Sequence, residues 1–196
     1  MILEIEKGFT TEDIAWLTVS VQLGFVAGSL ILSITNIPDI VNSRIVFSVS
    51  CVLAAVINVV LLLPQVGTNE AIAARFLTGV FLGGVYPLAM KIVSGWFKSS
   101  RGIAIGIIIG SLTLGSGSPH LLKSLFMAQW EITLIVSSAL SVTGGLIVLL
   151  FVRDGPHDVL TARFNPTYVL AIIKSRALQL VLIGYLGHMW ELYAMW

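Results

Sequence analysis

Charge is what this sequence has least of. Only 11% of its 196 residues are Asp, Glu, Lys or Arg, where a soluble domain carries about a quarter. A chain so poor in charge cannot hydrate a closed surface, which excludes an ordinary soluble fold. Cysteine is rarer still. Cys51 stands alone, so no intramolecular disulfide can form, and its apolar run suits a buried structural thiol. The three histidines, His120, His157 and His188, are scattered. Neither HExxH nor GxxxxGK[ST] occurs, so a zinc-hydrolase helix and a phosphate-binding loop are both excluded. Net charge is +1 and pI is near 7.9, so no nucleic-acid partner is expected. The first residues, MILEIEKGFTTED, are acidic where a secretory leader would be basic.

What is present is apolar and continuous. Hydrophobic residues make up 57% of the chain and mean hydropathy is +0.98. About 20 apolar residues cross a bilayer as helix, and backbone amides in lipid must bond within their own segment or in a closed barrel. The runs here lack the strict alternation of barrel strands. The fold class is therefore all-α, a polytopic bundle of membrane helices. Spans are predicted at 14–35, 45–63, 71–97, 102–122 and 130–152, forming one bundle over residues 1–152. A polar, basic linker follows at 153–176, with a short surface helix expected from Thr167 to Lys174. A further span starts at 177 and is still apolar at Trp196.

Lysine and arginine orient the bundle. Arg44, Lys98, Arg101, Arg153, Arg163, Lys174 and Arg176 fall in connections of one side, against Lys7 and Lys123 on the other. The first set is expected in the cytoplasm. The acidic leader then starts outside, and a preceding helix is the simplest way to put it there. With the apolar end at Trp196, both termini are expected to be truncations.

The segment RFLTGVFLGGVYPLAMKIVSGWFKSSRGIAIGIIIGSLTLGSGSP resembles the fourth and fifth helices of the major facilitator superfamily. Arg75 followed by Gly79, Gly83 and Gly84 matches the family's fourth helix. Trp96, Phe97, Arg101 and Gly102 match its exit and the start of the next. Gly106, Gly110, Gly115, Gly117 and Pro119 resemble the glycine-rich fifth helix. Asp39 and Arg44 in NIPDIVNSR fit the signature between the second and third helices, although Thr35 stands where the family has glycine. GYLGHMWELYAMW resembles the start of the seventh helix in a bacterial subgroup with a membrane His and Glu. The resemblance implies an incomplete N-terminal half of a transporter, from the second helix to the start of the seventh, in a bacterial inner membrane.

Ionisable groups inside spans mark function. Arg75 is expected to bind an anionic solute or tune a proton carrier, against snorkelling to the outer headgroups. Lys91 lies nearer the cytoplasmic end and snorkels more easily. His188 and Glu191 stand three apart on one helix face and suit proton coupling or solute contact, against a simple packing pair. Gln22, Asn58, Tyr86, Ser118 and His120 either line a cavity or join helices by hydrogen bonds. Gly102, Gly106 and Gly110 give a smooth face for close packing, with a gating role if the helices rock. With Asp39, Arg44, Gly79, Gly83, Arg101, Gly115 and Pro119 they form the conformational set. Trp16, Trp96 and Trp130 are interfacial anchors. The expected function is secondary transport of a small solute, guessed to be an anion, with a proton as second partner and no enzyme activity or cofactor. The alternative is a channel or a structural membrane subunit. These residues alone are expected not to transport, because such cavities form between two bundles.

Overall fold

The computed structural model describes residues 9–126, 130–157 and 174–195. They are helical, with no strand among them. The chain divides into two compact units, Met1–Thr161 and Ala162–Trp196. The first holds α1 (Thr11–Thr35), α2 (Ile37–Ile40), α3 (Ser43–Val60), α4 (Thr68–Leu82), α5 (Tyr86–Trp96), α6 (Arg101–Phe126) and α7 (Trp130–Phe151). The second holds α8 (Arg176–Met195). The surface helix expected at Thr167–Lys174 falls almost wholly outside the described residues.

Local chemistry sets the helix ends. Thr10 and Asp13 form a reciprocal capping box, Asp13 N–H donating to Thr10 Oγ1 at 3.2 Å and Thr10 N–H to Asp13 Oδ2 at 2.8 Å. α1 stops at Asn36, whose φ of 51° is left-handed, a conformation that Asn tolerates better than most residues. Pro38 then starts the single turn of α2. Asn42 caps α3 by accepting from Arg44 N–H at 3.0 Å.

The apolar run predicted as one span at 71–97 is two helices. α4 and α5 form a single 29-residue crossing by length and hydropathy, interrupted at residues 83–85. Gly84 N–H bonds to Phe81 O and Val85 N–H to Leu82 O, the tighter i to i−3 pattern. Pro87 has no N–H to give Gly83 O, and its ring crowds that carbonyl. The break follows from those residues.

The interior is built from small residues. Ala54, Ala55, Ala71, Cys51, Ser48, Ser50 and Thr78 are buried, while large apolar side chains such as Leu23, Leu30, Val56, Leu140 and Phe151 are exposed. This is the arrangement expected where lipid solvates the outside and close backbone approach holds helices together. α1 and α4 pack along each other, and α3 packs against both α4 and α7. A Cβ on Gly24 would meet the Phe76 backbone, and one on Gly28 the Val80 backbone. Reciprocally, Gly79 faces the Val21 and Phe25 backbones, and Gly83 faces Ser29. Two small-xxx-small pairs thus cross each other.

The glycines expected to give the next helix a smooth face meet no neighbour among the described residues. Around Gly102, Gly106, Gly110, Gly115 and Gly117 an added Cβ would meet nothing within 4 Å. Among the described residues, α1 and α4 approach each other backbone to backbone through their glycines, and α6 makes no such approach.

Candidate functional site

Arg75 is seven residues into α4 and half-buried between spans. Its Nη1 donates to Asn58 Oδ1 of α3 at 3.1 Å. Asn58 in turn donates through Nδ2 to Ser138 Oγ of α7 at 3.1 Å. Asn58 is 9% exposed and Ser138 5%, so these two groups are largely shielded from solvent. A cavity of about 220 Å³ opens beside it, lined among others by Val21, Asn58, Arg75, Thr78, Ser138 and Ser141. No carboxylate lines it among the described residues.

The seam continues along α3 and α7. Ser141 Oγ donates to Cys51 O at 3.1 Å, and Ser48 Oγ donates to Gly145 O at 2.8 Å. Gly145 sits where a Cβ would lie 2.9 Å from that of Cys51. Side-chain oxygens thus satisfy carbonyls across the helix pair, as low-dielectric surroundings favour.

A second polar set lies at the opposite end of the bundle. Lys91 Nζ donates to Pro38 O at 2.9 Å and pairs with Asp39. This ties α5 to α2, so Lys91 is a tether rather than a snorkelling side chain. Arg44 holds Asp154 by two bonds, Nε to Oδ1 at 3.0 Å and Nη2 to Oδ2 at 3.2 Å. Its Nη1 also donates to Val152 O at 2.6 Å, and Asn42 Nδ2 donates to Asp154 Oδ2 at 2.7 Å. Trp96 Nε1 donates to Arg153 O at 2.8 Å, and His157 N–H to Gly95 O at 2.9 Å. Gly155 lies directly on the Gly95 backbone. Residues 153–157 therefore strap the start of α3, the end of α5 and the end of α7 together. Arg101 closes the next turn, donating to Ser94 O at 3.1 Å and Phe97 O at 3.3 Å.

The structure brings Arg75 and Asn58 into direct contact. It does not bring Gln22 there: Gln22 is exposed on α1 and lines neither this cavity nor the one beside Asp39 and Lys91. Tyr86 starts α5 beyond the kink and is likewise outside both linings. Ser118 donates to Gly115 O of its own helix at 2.7 Å. His188 is exposed on α8. The side chains of Pro119, His120 and Glu191 lie outside the described residues.

Sequence reasoning missed Ser138, Ser141, Asn42 and Asp154. A signal for the serines exists: Ser138, Ser141 and Gly145 recur at helical spacing in a span otherwise rich in Leu, Ile and Val. Ser48, Cys51, Ala54, Ala55 and Asn58 recur likewise on α3.

A family model described as Major Facilitator Superfamily matches residues 2–196. The chain belongs to the major facilitator superfamily. With five helices among the described residues that are long and apolar enough to cross a membrane, it is a multi-pass membrane protein of a transporter family. It is also similar to a protein described as "MFS transporter prlL" from Fungal sp. (strain NRRL 50135), at 29% identity over 94 residues. That match covers 43% of this chain and 19% of the relative. No solved structure matches.

Proposed function

We propose that the full-length protein is a secondary active transporter that moves a small anion by alternating access. One observation carries the reading. Arg75 is a fixed cation between membrane helices whose one hydrogen bond among the described residues goes to neutral Asn58. An unpaired guanidinium in an apolar surround is costly, and a passing anion relieves that cost. The kink at residues 83–85 and the smooth α1–α4 crossing suit helices that shift against one another. The strapped end of the bundle, rich in basic residues, faces the cytoplasm in this reading. His188 and Glu191 are assigned to proton coupling, and the protein is not an enzyme. The bacterial inner membrane belongs to the proposal alone, since the matched relative is fungal.

The test is uptake of labelled acetate, lactate and chloride into proteoliposomes holding the purified full-length protein. Saturable uptake of at least one, lowered about tenfold or more by Arg75→Ala, is expected; a loss of 1.4 kcal/mol in binding alone gives that factor. Unchanged uptake in Arg75→Ala would remove Arg75 from the mechanism. Activity is assigned to the full-length protein, so saturable uptake by these 196 residues alone would contradict the assignment.

A further inference from the structure

The hydrogen-bond pattern around Arg75 restricts its ligand further than a bare positive charge does. A guanidinium carries five N–H donors in a planar fork. Arg75 uses Nη1 on Asn58, leaving Nε and Nη2 with no acceptor among the described residues. Ser138 accepts from Asn58 Nδ2, and its own O–H has no acceptor there either. The neighbouring hydroxyls differ. Thr78 donates to Ala74 O at 2.8 Å and Ser141 to Cys51 O at 3.1 Å, so both have used their protons. The cavity thus presents one cation and one free hydroxyl, from α4 and α7, on either side of the amide that spaces them.

From this arrangement we infer that the cavity binds a monocarboxylate. One carboxylate oxygen pair matches the Arg75 fork, and Ser138 donates a third bond. A single fixed positive charge balances one negative charge. A dianion would bring a second charge into a low-dielectric site whose described lining holds no second cation to compensate it. The cavity of about 220 Å³ equals the liquid volume of about seven waters at ~30 Å³ each. That admits a small organic acid with part of its hydration. Asn58 acts as a positioning residue, bonded at 3.1 Å to the guanidinium on one side and at 3.1 Å to the Ser138 hydroxyl on the other. The inference deepens the transport reading and rests on it for passage of the solute, while binding stands on the geometry.

Titration calorimetry of the purified full-length protein tests it, with acetate, lactate and benzoate as probes. Lactamide, succinate, inorganic phosphate and chloride serve as comparisons. Saturable binding of at least one of the three acids is expected, about tenfold or more above every comparison. Arg75→Lys, which keeps the charge and loses the fork, should weaken it about tenfold. Ser138→Ala, checked for an unchanged gel-filtration profile, should weaken it severalfold. No binding by any of the three acids, equal binding of lactamide, tighter binding of phosphate or succinate, or full affinity in Arg75→Lys overturns the inference. Carboxylate binding without any flux leaves the site standing and sinks the transport reading. Saturable flux of a solute other than a monocarboxylate, with no carboxylate binding, does the reverse.

Discussion

Asn36 and Asn58 show what single side chains decide here. Asn36 ends α1 in the left-handed region, where a β-branched residue costs about 1–2 kcal/mol and glycine nothing. Asn36→Val should therefore lower the thermal midpoint of the purified protein further than Asn36→Gly does. Asn58 faces the opposite problem, since it holds a charge inside the bundle. Asn58→Ala strands both Arg75 and Ser138, at a cost of about 1.5–3 kcal/mol for the charged bond. Thermal unfolding with and without acid ligand reads it, and ligand should restore part of the loss. Arg75 was legible in the sequence because a charge in an apolar run is conspicuous. Ser138 was missed, because serine is common in membrane helices and only the fold shows which serine meets Asn58. Gln22 had the same polar signal as Asn58 but points out of the bundle, a difference no composition carries.

Among the helices, equal spacing in sequence produces unequal packing. Gly24 and Gly28, Gly79 and Gly83, and Gly102, Gly106 and Gly110 all recur every four residues. Only the first two pairs meet backbone across a helix crossing in the described residues. Gly28→Leu or Gly79→Leu should separate α1 from α4 and destabilise by about 1–3 kcal/mol or more. Gly106→Leu should leave the stability of this bundle within about 0.5 kcal/mol. A thermal midpoint for Gly106→Leu as low as for Gly28→Leu would mean that α6 has a partner as intimate as the α1–α4 pair. Helix existence was readable from apolar run length. The kink was not, although Gly83, Gly84 and Pro87 together carry its cause.

For the bundle as a whole, two polar levels matter: the Arg75 seam near one end and the strap at the other. Arg44 and Asp154 are 24% and 46% exposed in their side chains, so water weakens their attraction to at most about 1 kcal/mol. A pair of that strength can break during the proposed transport cycle, which suits a latch better than a structural pillar. Arg44→Ala and Asp154→Ala should each change the transport rate, and the double variant should match either single one, giving a coupling near that value in a double-mutant cycle. Additive rate effects would show that the two residues act separately. Asp39 and Arg44 were visible from the family signature, but their partners, Lys91 and Asp154, lie far off in sequence.

The most direct test of alternating access at Arg75 is counterflow. Proteoliposomes holding the full-length protein are preloaded in turn with unlabelled acetate, lactate or benzoate, diluted into the same labelled acid, and followed over time. A single site exposed to one side at a time predicts transient accumulation of label above its equilibrium level, lost in Arg75→Gln. Label that enters in linear proportion to concentration, with no overshoot and no dependence on Arg75, would contradict the account.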